Sequence, residues 1–81
     1  MIHCLKTWPK YFIPLLFNAK SFEIRKNDRG FKTGDYLVLQ EWDPKTEKYT
    51  GQMVTRQVTY IFDGGEFGVP DDLVVMALIM V

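Results

Sequence analysis

The chain is poor in residues that bind metals or form covalent cross-links. It contains one cysteine, Cys4, and one histidine, His3. A lone cysteine excludes an internal disulfide, which agrees with a reducing, cytoplasmic environment. Because neighbours on a strand point to opposite faces, His3 and Cys4 cannot share a metal ion there. We therefore expect no structural metal and no cofactor, and we expect Cys4 to pack as a small core residue.

Net charge and long apolar runs are also absent. Ten basic and ten acidic side chains give a formal charge of zero, so the molecule as a whole lacks the positive field of a general duplex-DNA binder. The longest apolar run, Leu73 to Val81, is about half of the roughly 20 residues that a membrane-spanning helix needs. The earlier run, Phe12 to Phe17, is short for a secretory signal and contains Pro14. We expect a cytoplasmic protein that does not contact a membrane.

Hydrophobic patterning, by contrast, is strong throughout the chain. Hydrophobic residues make up 47% of the 81 residues, which suits one ordered domain over residues 1–81. The patterning predicts five strands and one main helix, with strands over residues 2–6, 21–26, 36–42, 52–62 and 73–80 and the helix over 8–19. Strands and helix in this order predict a small α+β domain whose sheet curls toward a barrel.

Several details of these elements are also predicted. Thr7 is expected to be the N-cap of the helix, with Pro9 in its first turn. The long fourth strand is expected to contain a bulge, and Gly34 to adopt a positive φ before the third strand. The helical spacing predicts one core-facing stripe, formed by Trp8, Tyr11, Phe12, Leu15, Leu16 and Ala19.

A charged strand follows the helix. Strand alternation predicts that Phe22 and Ile24 face the core, while Glu23 and Arg25 share the opposite face. Residues two apart on a strand lie roughly 7 Å apart at the backbone, so Glu23 can pair with Arg25 or with Lys20. The simplest interpretation is a solvated charged face; the alternative is a functional site.

The succession of motifs resembles the ASCH domain, named for activating signal cointegrator homology. The matching segments are Lys6-Thr7-Trp8-Pro9, residues 20–29, Gly34-Asp35 and Glu41-Trp42-Asp43-Pro44. Within that group the chain looks closest to a small bacterial and phage family of undefined function. The later matches to that family are Thr50-Gly51, Tyr60, Asp63-Gly64-Gly65 and Phe67-Gly68.

This resemblance implies a PUA-like mixed β-barrel with a cleft between barrel and helix, proposed to bind RNA or a modified nucleobase. The cleft would be lined by Lys6, Trp8, Lys20, Glu23 and Arg25. In an RNA-binding module the cations would contact phosphates, and Trp8 could stack on a base. Lys26 and Arg29 would add to the phosphate contacts.

Two alternatives stay open. One branch of the ASCH group resembles an amidohydrolase acting on N4-acetylated cytidine, which uses a lysine and, three residues on, a threonine. Lys20 matches that lysine, but Glu23 stands at the threonine position and supplies no hydroxyl; in an enzyme, Lys20 and Glu23 could instead act as an acid/base pair. The other alternative is a protein-interaction module that presents Trp42 and Tyr49 on the hairpin between the third and fourth strands.

Overall fold

All five predicted strands and the predicted helix are present in the computed structural model, which describes residues 1–81. In chain order the elements are β1 (Ile2–Thr7), α1 (Pro9–Leu16), β2 (Phe22–Lys26), β3 (Tyr36–Asp43), β4 (Lys48–Asp63) and β5 (Leu73–Met80). The only helix has eight residues, too few to cross a membrane.

The strands form one sheet in the order β1-β3-β4-β5-β2. The β1–β3 pair is parallel and the other three pairs are antiparallel. The sheet curls far enough for side chains to connect its two edge strands. Arg25 of β2 donates to the carbonyl oxygen of Lys6 at 3.0 Å, and Arg29, just beyond β2, donates to that of Cys4 at 3.1 Å. The result is a half-barrel. Arg25 and Arg29 bridge the gap between β1 and β2, which we call the seam.

Two local predictions about the strands and turns are confirmed. The pairing of β4 with β5 shifts register between Val58 and Tyr60, which places a bulge in the long strand. Gly34 has a φ of 97°, in the region that favours glycine.

The core lies on the concave face of the sheet. Its nine buried residues are Leu5, Leu15, Phe31, Leu37, Leu39, Val58, Val74, Met76 and Leu78. Cys4 is exposed, so its predicted place in the core is wrong. The reason is strand alternation, since His3, Leu5 and Thr7 are the β1 residues that face inward.

The predicted helical stripe is only partly buried. Phe12 and Leu15 are the buried residues of α1, whereas Tyr11 and Leu16 are exposed. Trp8, at the start of the helix, and Ala19, beyond its end, are exposed as well. The helix therefore contributes a narrow apolar edge to the core and leaves aromatic side chains accessible.

Both predicted helix ends require correction. Thr7 is not the N-cap, because it is the last residue of β1 and its hydroxyl donates to the Leu5 carbonyl at 3.3 Å. Trp8 occupies the N-cap position with no side-chain capping bond, and Pro9 is the first helical residue.

The helix also ends earlier than predicted, at Leu16. Asn18 adopts a φ of 57°, and its N–H donates to the Leu15 carbonyl at 3.1 Å. The Ala19 N–H donates to the Pro14 carbonyl at 2.8 Å. This pair of bonds is a Schellman termination, which turns the chain toward β2.

Candidate functional site

Glu23 points into the half-barrel, opposite to the predicted direction. It is 3% exposed, whereas Phe22 and Ile24 are 42% and 51% exposed. The expectation that Phe22 and Ile24 face the core is therefore wrong, and so is the interpretation of Glu23 as part of a solvated face. A buried carboxylate requires partners, because an unpaired one would be costly to remove from water.

Two cations supply those partners. Lys20 Nζ lies 2.5 Å from Glu23 Oε1, and Arg25 Nε lies 2.8 Å from Glu23 Oε2. Lys20 is brought there by the Schellman termination, since its own N–H also donates to the Pro14 carbonyl at 3.0 Å. Each carboxylate oxygen of Glu23 thus accepts a hydrogen bond from a separate cation.

Arg25 is fixed in place by further bonds. Its Nη2 donates to the Lys6 carbonyl at 3.0 Å and to the Thr7 hydroxyl at 3.3 Å. Thr7 is itself buried. The guanidinium therefore connects β2 to β1 across the seam, and its Nη1 has no protein partner.

A cleft of about 750 Å³ opens over this group, between α1 and β2. That volume lies within the range of small-molecule sites. The lining residues are Lys6, Thr7, Trp8, Tyr11, Lys20, Phe22, Glu23, Ile24 and Arg25. Trp8 and Tyr11 are 48% and 46% exposed, so both rings are partly accessible, and Lys10 Nζ lies 5.0 Å from the centre of the Tyr11 ring.

The charge of the cleft is positive, because three lining cations face one carboxylate. Lys20 Nζ lies 5.2 Å from the centre of the Phe22 ring and 5.8 Å from that of Tyr11. Lys6 Nζ lies 4.2 Å from the centre of the Trp42 ring. The cleft therefore combines aromatic walls with cationic hydrogen-bond donors.

The structure brings together five of the seven residues singled out from the sequence. Lys6, Trp8, Lys20, Glu23 and Arg25 all line the cleft. Lys26 and Arg29 lie in a smaller depression that also includes Arg25.

Sequence reasoning missed the other cleft residues, in particular Tyr11 and Thr7. Tyr11 follows Trp8 by three residues, a spacing that does signal a shared helix face, but an apolar face of this kind predicts contact with the core. The structure has no cluster of three or more His, Cys, Asp or Glu side chains arranged to hold a metal.

A second buried carboxylate, Asp35, lies outside the cleft. His3 Nε2 donates to Asp35 Oδ2 over 2.8 Å, and the Lys32 backbone N–H donates to the same oxygen over 3.0 Å. The amino group of Met1 lies 3.1 Å from Oδ1. The hydrogen bond from His3 is the largest of the effects that lower the Asp35 pKa from its ordinary 3.8 to about 2, outweighing the opposing effect of burial.

The fold and the cleft together define a small half-barrel domain with a ligand-sized groove beside its single helix. The chain belongs to the family described as a domain of unknown function, DUF3850, which matches residues 2–78. It is 39% identical over 62 residues to the "uncharacterized 12.9 kDa protein in GpA 3'region" of Escherichia phage P2. The match covers 76% of this chain and 55% of the phage protein, so the chain spans about half the length of that relative.

Proposed function

We propose that this protein is a non-catalytic, PUA-like RNA-binding module of the ASCH type that takes an unpaired or modified base into the cleft. The observation that carries the proposal is the buried Glu23, held between Lys20 and Arg25 beneath the exposed rings of Trp8 and Tyr11. The resemblance of the motifs to the ASCH domain supports the same assignment.

The aromatic walls suit a flat ligand. Sequence-specific RNA recognition commonly uses unstacked bases that lie against aromatic side chains. Stacking of this kind contributes about 1–3 kcal/mol per base. Trp8 and Tyr11 are partly exposed and can contact a base at no cost to the core, since Phe12 and Leu15 are the buried residues of the helix.

The floor of the cleft suits the edge of a base. Lys20 and Arg25 carry N–H donors for carbonyl oxygens and ring nitrogens. Glu23 already accepts one bond at each oxygen, but a carboxylate has about four lone-pair positions, so it can also accept from an exocyclic amino group. Donors and an acceptor in one cleft match the mixed pattern that a nucleobase presents.

The alternatives have less support. For an amidohydrolase, Lys20 would have to act as a base, yet it donates to Glu23 at 2.5 Å. For a protein-interaction module at the hairpin, Trp42 and Tyr49 would both have to be available; Tyr49 is exposed, but Trp42 is half-buried beneath Lys6.

An NMR chemical-shift titration tests the proposal. Labelled protein is titrated with short single-stranded RNA oligomers, then with modified nucleosides such as N4-acetylcytidine, at low and moderate salt. Shifts should cluster at Trp8, Lys20, Glu23 and Arg25. Chromatography of the nucleoside mixtures shows whether any cytidine is released, which would favour the enzyme instead.

Matched variants sharpen this experiment. Lys20→Ala should weaken RNA binding and its salt dependence, whereas Lys45→Ala, at the exposed hairpin tip, should leave both unchanged. Equal binding by both variants, or an absence of shifts in the cleft with every ligand, would refute the proposal.

A further inference from the structure

A second depression adjoins the cleft on the other side of Arg25. It has a volume of about 250 Å³ and is lined by Leu5, Arg25, Lys26, Asp28, Arg29 and Phe31. Leu5 and Phe31 are buried, so the accessible part of the wall is mainly charged. Three cations oppose the single carboxylate of Asp28. We call this surface the basic depression.

The basic depression differs from the cleft in what it can bind. The cleft has exposed Trp8 and Tyr11 rings for a flat ligand, whereas the basic depression has neither and is a third of the volume. Guanidinium groups recognise phosphate and carboxylate through paired N–H donors. A compact anion therefore suits the basic depression better than an aromatic ring does.

Its two arginines are held in position before any ligand arrives. Arg25 Nη2 donates to the Lys6 carbonyl, and Arg29 Nη1 donates to the Cys4 carbonyl at 3.1 Å. A guanidinium has five N–H donors, and Arg29 uses one of them within the protein. The anchored side chains lose less conformational freedom on binding an anion, which favours affinity.

Arg25 lines both the cleft and the basic depression. A ligand that fills both the cleft and the basic depression therefore needs a flat ring system and an anionic group a short distance from it. A nucleotide has this form, with its base and phosphate linked through the sugar. A free nucleoside fills only the cleft.

We propose that the basic depression binds the phosphate of the nucleotide whose base occupies the cleft, with Arg25 between the two parts. This inference rests on the function proposed above and narrows it. The ligand is a phosphorylated nucleotide, or one nucleotide unit of an RNA strand, and not a free nucleoside.

The test compares ligands that differ by the phosphate alone. The four common nucleosides and their 5′- and 3′-monophosphates are titrated into labelled wild-type protein. At least one monophosphate should bind about tenfold more tightly than its nucleoside. Amide shifts of Lys26 and Arg29 should respond to the monophosphate and not to the nucleoside.

The variant Arg29→Gln isolates the basic depression, because Arg29 does not line the cleft. It should remove the tenfold gain and leave nucleoside affinity unchanged. Lys32→Gln is the matched control, since it removes a nearby exposed charge that lines neither surface. Thermal unfolding of both variants checks that the fold is retained.

The outcomes separate the two proposals. Nucleoside binding without a gain from phosphate, or a gain that survives Arg29→Gln, would overturn the phosphate site and leave the cleft assignment standing. No binding of any nucleoside, monophosphate or RNA oligomer would overturn both.

Discussion

Asp35 and Glu23 are both buried carboxylates that accept hydrogen bonds from nearby cations or N–H groups, yet their surroundings differ. Asp35 is bound by the His3 ring and a backbone N–H, which the fold holds in place, and by the amino group of Met1. Glu23 is bound by Lys20 and Arg25, two side chains that also line an open cleft. Burial of a carboxylate therefore does not by itself identify a site; what matters is whether its partners also face a ligand.

Removal of Asp35 should have the largest effect on stability, and it tests whether this carboxylate has a structural role. Asp35→Ala should lower the free energy of unfolding by about 3 kcal/mol, because it leaves the buried His3 ring and the part-buried Lys32 N–H without their partner. Urea denaturation measures the change. Asp71→Ala, at an exposed position, is the control. A loss no larger than that of the control would show that the Asp35 cluster is not a structural anchor.

Acid should reproduce part of that loss in the wild type. Because the folded-state pKa of Asp35 is about 2 against an ordinary 3.8, the unfolded state takes up a proton first as the pH falls. The stabilisation is complete above about pH 4 and is lost as the pH falls through about 2. The difference in unfolding free energy between wild type and Asp35→Asn should shrink as the pH falls from about 4 to about 2. A difference that does not change with pH would contradict the assignment.

Glu23→Gln should have a small effect on stability and a large effect on RNA binding. We expect a loss of about 1 kcal/mol in unfolding free energy, because Lys20 and Arg25 are part-exposed and regain water when the charge is removed. RNA affinity should change at least fivefold, since the floor of the cleft is altered. Parallel denaturation and titration measure both quantities. A stability loss equal to that of Asp35→Ala, with unchanged binding, would make the two carboxylates equivalent.

The smallest effect on stability is expected at Trp8. Trp8→Leu should alter unfolding free energy by less than about 0.5 kcal/mol, because the side chain is half-exposed. RNA binding should nonetheless weaken through loss of stacking. Phe12→Leu, at a fully buried position of the same helix, is the apolar control and should cost more stability. Equal destabilisation by both variants would assign Trp8 to the core instead.

The order of the elements could be predicted from the sequence because strand and helix periodicities are local properties. Which face of β2 points into the half-barrel could not be predicted from the sequence. Alternation separates Phe22 and Ile24 from Glu23 and Arg25, but it does not say which pair faces inward. The usual preference for burying apolar residues gave the wrong answer, because Lys20 and Arg25 compensate the charge of Glu23 inside the barrel mouth.

The His3–Asp35 pair was also beyond sequence reasoning. The two residues are separated by 32 positions and meet because β1 and β3 run parallel, with Ile2 opposite Tyr36. The exposure of Tyr11 on the helix was missed for a related reason. A periodic stripe predicts a buried face, but its extent depends on how much sheet the short helix α1 covers.

The seam has a consequence for how copies of this protein behave toward one another. An edge strand normally presents free carbonyl and N–H groups that invite pairing with another chain. Here Arg25 and Arg29 already occupy two carbonyls on the open edge of β1, at Lys6 and Cys4. A strand arriving from a second molecule must displace both guanidinium groups and bring its backbone against their positive charge. The same arginines that face the proposed ligand thus protect the sheet against growing from one molecule into the next.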